Sequence, residues 1–233
     1  MAISFVAAAT ATTSQITDTT LACSVPSGTA NGDVMIALIS RPSSAATVTT
    51  QAGWTIIPNF PVSNTNGTVL AGFYRVASSE PASYTWAFST GKCCIATLSY
   101  RGVDTAAPVH KSAAAVDTTT RTGHTSPSIT TTIANCWTIG GFCDRGTSSS
   151  STWSTPSGLT SRASLGTTGT SDNSLAVFDS NGALAAGAYS YASTASQSLS
   201  TAAMCTLALA PAGPTPPAPP TVVRQAVQRA ACR

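Results

Sequence analysis

Apolar residues along this chain come in short runs, some alternating with Ser and Thr and some continuous, and turn residues close each run. Gly32-Asp-Val-Met-Ile-Ala-Leu-Ile-Ser40 reads as a turn followed by a buried strand, and Thr68-Val-Leu-Ala-Gly-Phe-Tyr-Arg-Val76 as a second. Ser83-Tyr-Thr-Trp-Ala-Phe88 alternates, so Tyr84, Trp86 and Phe88 share one face, which is expected to be core. Cys93–Tyr100, Thr138–Phe142, Ser174–Phe178, Ala188–Tyr191 and Ala203–Leu209 repeat the style. Asn31-Gly32, Asn66-Gly67 and Asn181-Gly182 mark turns between them. No segment before residue 211 carries a helical period. The apolar stretch from Met1 to Thr10 has no Lys or Arg ahead of it and reads as a strand, not as a signal peptide. No run reaches the length of a membrane-spanning helix.

The strands recur as a set. Ala52-Gly-Trp-Thr55 matches Ser157-Gly-Leu-Thr160, Leu70-Ala-Gly-Phe73 matches Leu175-Ala-Val-Phe178, and Ser83-Tyr-Thr-Trp86 matches Ala188-Tyr-Ser-Tyr191, all at one offset of about 105 residues. The Cys94 strand resembles the Cys205 strand with a few residues inserted. The expected fold is all-β: an antiparallel sandwich or jelly roll spanning residues 1–211, built from two similar halves of roughly 32–103 and 135–211, closing over one apolar layer. The polar stretch from Asp104 to Thr132 is expected to cross between halves, either as strands or as an exposed loop. Residues 212–220 read as a Pro-rich extended linker and 221–233 as a C-terminal arm with Val and Ala at near-helical spacing, too short to be a stable helix alone.

Composition narrows the function. Charged residues make up 8% of the 233, against about 25% in an ordinary soluble domain. Ser and Thr take their place, giving a hydroxyl-coated surface that packs on neighbours with little desolvation of ions. The formal net charge is +3, without a basic stripe interleaved with aromatics, so nucleic acid is not an expected partner. Seven cysteines, two of them adjacent at Cys93-Cys94, read as reduced buried thiols formed in a reducing cytoplasm. A Cys136–Cys143 disulfide and a crosslink through Cys232 are the alternatives.

Chemistry-bearing residues are sparse. Glu80 is the only glutamate, and His110 and His124 are the only histidines. Asp144 with Asp179 is the one carboxylate pair to weigh for glycoside hydrolysis, and Asp104 with either histidine for a serine triad; neither has a supporting motif. The Cys and His spacing does not fit zinc. No cofactor, metal or catalytic residue is expected. Trp153, beside the Ser148–Thr152 loop, is the aromatic expected to be exposed and to touch a glycan ligand. Partner docking is assigned to Val222, Val223, Arg224, Val227, Arg229 and Arg233 on the arm.

Gly32-Asp-Val34, Ala52-Gly-Trp54, Tyr74-Arg-Val-Ala77, Glu80-Pro-Ala-Ser-Tyr-Thr-Trp86 and Tyr100-Arg-Gly-Val-Asp104 with Pro108 together resemble a lectin-like or jelly-roll β-sandwich module of actinobacterial secreted proteins and of tailed phages. The likeness covers residues 1 to about 211 and implies a structural or adhesive role. With no signal peptide and a strap at its end, the chain is expected to be a virion protein made in the host cytoplasm, a head decoration or minor tail protein. Its expected partners are major capsid or tail proteins and further copies of itself, with no membrane. The alternative is an adhesion module that binds host-surface glycans.

Overall fold

The computed structural model describes residues 1–146 and 149–213, which contain strands, turns and no helix. The strands are β1 (Ser4–Thr12), β2 (Thr20–Ser24), β3 (Val34–Arg41), β4 (Thr55–Ile56), β5 (Val62–Asn64), β6 (Thr68–Val76), β7 (Ser83–Ala87), β8 (Cys94–Arg101), β9 (Val109–Asp117), β10 (Arg121–Thr125), β11 (Ile129–Thr131), β12 (Trp137–Cys143), β13 (Thr160–Gly166), β14 (Ser174–Asp179), β15 (Gly187–Tyr189), β16 (Ala192–Leu199) and β17 (Ala202–Leu209). All pairings are antiparallel. The first large sheet runs β1-β8-β3-β6-β4, with β5 also on β6, and the second runs β9-β17-β12-β14-β13. The two orders match strand for strand. The ribbon β2-β7 belongs to the first half, and β10-β16 with β11-β15 to the second. The protein is thus all-β, with antiparallel sheets arranged as two similar halves.

The halves are longer than the sequence repeat suggested. The stretch Asp104–Thr132 is not a loop: it supplies β9, the counterpart of β1, and β10 with β11, the counterparts of β2. The second half therefore starts near Val109. Its end also shifts slightly, because Ala212 N–H donates to the Gly102 carbonyl at 2.8 Å, so residue 212 belongs to the body and not to the linker. The remaining linker and arm, with Val222, Val223, Arg224, Val227, Arg229, Cys232 and Arg233, lie outside the described residues.

Apolar packing occurs in three layers where one was expected. In the middle, Val34, Ile36, Leu38, Leu70 and Leu98 of the first sheet meet Ile139, Leu175, Val177 and Leu207 of the second. Outside that, Met35, Ile39, Phe73 and Ile95 on the other face of the first sheet pack under Trp86. Phe142, Phe178 and Met204 do the same under Tyr191 and Trp153 in the second half. A sheet covered on both faces needs apolar side chains in both directions. That is why β3, β12, β14 and β17 are buried at every position, and why they read as continuous apolar runs.

One pair of contacts across the middle layer is reciprocal: β8 lies against β14 while its counterpart β17 lies against β6, the counterpart of β14; at the edges, β1 lies against β13 and β9 against β5. The matched turns agree in detail: Gly53 and Gly158 sit at φ 76° and 78°, a left-handed conformation that glycine adopts without strain.

Candidate functional site

Gly53, Trp54, Arg75, Glu80 and Tyr84 meet at one corner of the first half. Arg75 Nε on β6 donates to Glu80 Oε1 at 2.8 Å and to Oε2 at 2.9 Å, Tyr84 O–H on β7 donates to Glu80 Oε2, and Ser78 N–H donates to Oε1 at 2.7 Å. Burial acts to raise the Glu80 carboxyl, but these donors outweigh it and hold the group below the usual range. Tyr84 moves the opposite way, up to about 12, through burial and the adjoining carboxylate. The Arg75 guanidinium lies 5.5 Å from the Tyr84 ring centre, and Trp54 meets Tyr84 edge-on at 5.5 Å. Gly53 lets this arginine in: a Cβ there would lie 1.8 Å from Arg75 Nη1. Glu80, Arg75 and Tyr84 therefore lock a strand-to-strand corner.

Polar residues also stitch the halves together. Tyr100 O–H donates to Asp179 Oδ2 at 3.0 Å, and Arg162 Nε donates to the same oxygen at 2.9 Å. Ser40 and Asn173 exchange hydrogen bonds at 2.7 and 2.6 Å. Lys92, of the first half, reaches Asp172 Oδ1 at 3.0 Å and the Thr168 carbonyl at 2.5 Å in the second.

Under the outer ribbon of the second half, Trp153 Nε1 donates to Ser174 Oγ at 2.9 Å, and Ser174 O–H donates to Asp144 Oδ1 at 2.6 Å. Burial pushes the Asp144 carboxyl up despite the nearby hydroxyls of Ser151 and Ser174. Trp153 is 8% exposed, with Phe142 at 5.5 Å and His124 at 5.6 Å from its ring. The expected exposure of Trp153 is therefore corrected: its indole is a core side chain. It occupies the place that Val48 holds in the first half, since Val48 bridges Phe88 as Trp153 bridges Ala195.

His124 is held by Asp117 Oδ2 at 3.0 Å and by the Arg121 carbonyl at 3.1 Å. Burial acts to raise the Asp117 carboxyl, but the Thr119 N–H, Arg121 and His124 overcome it and hold it at about 2. A carboxyl depressed in the folded state stabilises above its unfolded value of about 3.9 and loses that contribution as pH falls toward the folded one. We expect wild type to lose stability between about pH 4 and pH 2 more steeply than Asp117→Asn, measured as Tm against pH. Equal slopes would rule out this ion-pair cluster as the cause.

The catalytic constellations weighed from the sequence do not assemble. Asp144 follows β12 beside Ser174 and Asp179 ends β14, five positions further on. At strand rise that is about 17 Å, against the roughly 5–9.5 Å between glycosidase carboxylates. Asp104 Oδ1 caps the Ala106 N–H, and His110 Nε2 accepts from Thr132 N–H at 3.1 Å. Cys136 precedes β12 and Cys143 ends it, so the extended strand holds them about 23 Å apart and they cannot bridge. The six described cysteines are free and buried; burial pushes the Cys93 and Cys143 thiols up to about 12, as expected of thiols packed as small hydrophobes. No group of three or more His, Cys, Asp or Glu side chains fit to hold a metal occurs among the described residues.

The fold and these contacts define a β-sandwich-like, two-half all-β protein. A scan against protein-family models and searches of curated proteins and of solved structures found no match.

Proposed function

We propose that this chain is a non-enzymatic structural protein of a tailed-phage particle, a head decoration or minor tail protein, displayed as a rigid β body and anchored by the segment after Gly213. One observation carries the reading: the carboxylates and both histidines serve as structural ties. Asp33, Glu80, Asp117, Asp172 and Asp179 are in ion pairs with Lys or Arg. Asp18 and Asp104 cap turns, and Asp144 holds Ser174. What faces outward is hydroxyl and alanine, as in Thr20, Ala22 and Ser24 of β2 beside Ser83, Thr85 and Ala87 of β7. The family likeness points the same way. Trp153, the aromatic chosen for a glycan, sits in the core, which favours the structural reading over an adhesion module.

The test is a truncation after Gly213, which keeps the Ala212–Gly102 bond. The shortened protein is expected to keep the full-length circular dichroism spectrum and to lose incorporation into particles made by complementation. Normal incorporation of the folded truncation would refute the anchor.

A further inference from the structure

At the seam between the halves a cleft of about 220 Å³ opens over two buried cations. Arg41, the last residue of β3, is 1% exposed, and Lys92, just before β8, is 3% exposed. Their only carboxylate partner among the described residues is Asp172, which pairs with Lys92. Arg41 is held by carbonyls: Nε donates to Lys92 O at 2.6 Å, Nη2 to Ser89 O at 2.6 Å and Nη1 to Thr47 O at 3.5 Å. The Phe88 ring lies 4.3 Å from the guanidinium carbon. Carbonyl dipoles satisfy hydrogen bonds but supply no counter-charge, and a buried charge without one is costly. Asp18, whose carbonyl accepts from Gly91 N–H, turns its carboxylate to Gln15 N–H instead.

The donors are not used up. A guanidinium has five N–H groups and an ammonium three. Arg41 makes three hydrogen bonds and Lys92 two among the described residues. The cleft is also lined by four hydroxyl-bearing residues, Ser43, Thr90, Thr170 and Ser171. Two cations against one carboxylate, spare N–H donors and a rim of hydroxyls are the components of an oxyanion site.

We propose that this cleft binds a small oxyanion, the carboxylate of an acidic sugar or a phosphate group, between Arg41, Lys92 and the hydroxyl rim. The occupant would bridge the halves, because Arg41 and Lys92 come from the first and Thr170 and Ser171 from the second. The site does not depend on the particle reading.

The experiment measures the Tm of the full chain in chloride buffer and with inorganic phosphate or glucuronate at matched ionic strength. A rise of about 5 °C or more is expected at a hundredfold excess over Kd. A response to phosphate alone identifies the group as phosphate, and a response to glucuronate alone as carboxylate. Arg41→Gln is expected to abolish the rise. Ser171→Asp covers the case in which Arg41→Gln does not fold: residue 171 has φ 55°, which aspartate tolerates, and the new carboxylate supplies the missing charge from within. That variant is expected to have a higher Tm in chloride and no response to either anion. Indifference of wild type to both anions, or an undiminished response in Ser171→Asp, overturns the site.

Discussion

Asp172→Asn is expected to lower the stability of the whole protein by about 3–5 kcal/mol, the cost of leaving one member of a buried ion pair without its partner. The pair is closed off from water: the Lys92 and Asp172 side chains are 3% and 0% exposed, and among the described residues Lys92 has only the Thr168 carbonyl besides. Removing the negative charge leaves two cations at the seam, Lys92 and Arg41. Chemical denaturation checks this, as a fall of roughly 1–2 M in the urea midpoint. The double variant Lys92→Met/Asp172→Leu is expected to recover most of the loss, because replacing a buried pair with apolar groups is often neutral or better. If Asp172→Asn were as stable as wild type, the seam would not depend on this charge balance, and the anion cleft would lose part of its basis.

Trp86→Ala is the second large effect, expected to cost about 3–5 kcal/mol. The indole is fully buried, 5.0 Å from Phe73 and 5.2 Å from Trp54 between ring centres, and it closes the outer layer of the first half. Its loss opens a cavity that the flanking rings, Phe73 on β6 and Trp54 just before β4, cannot both move to fill. Because the halves share the middle layer, the variant is expected to unfold in one transition, seen by coincident near- and far-ultraviolet dichroism melts. Two separated transitions would mean the halves unfold independently.

The strongly apolar strands were legible from the sequence because burial on both faces removes alternation and leaves runs that only a strand of that length explains. Thr68–Val76 appears in the structure with the same bounds as β6, and Trp86 and Phe88 share the core face that their alternation implies. Strands with small or polar inward residues were not legible. In β16 the buried positions are Ser193 and Ala195, and β9 has Ala113–Ala115 facing its neighbours, so neither shows an apolar period. The offset of the repeat does mark β9 and the place of Trp153: Ser4 plus 105 is Val109, where β9 begins, and Val48 plus 105 is Trp153. The polar ties were hidden for a different reason. Lys92 with Asp172, or Tyr100 with Asp179, lie 80 and 79 residues apart, and only the face-to-face packing of the halves brings them together.

The reciprocal contacts of the middle layer have an ancestral implication. A single repeat would expose Val34, Ile36, Leu38 and Leu98 on a flat sheet, a surface too greasy to stay in water by itself. Since the second repeat covers it in an isologous manner, a copy of the first could have done so equally well. The present chain then corresponds to a homodimer fused end to end. In a single chain each side is free to differ, and a feature such as Arg41, opposite Val69, whose counterpart opposite Ser174 is Asp144, occurs once instead of twice.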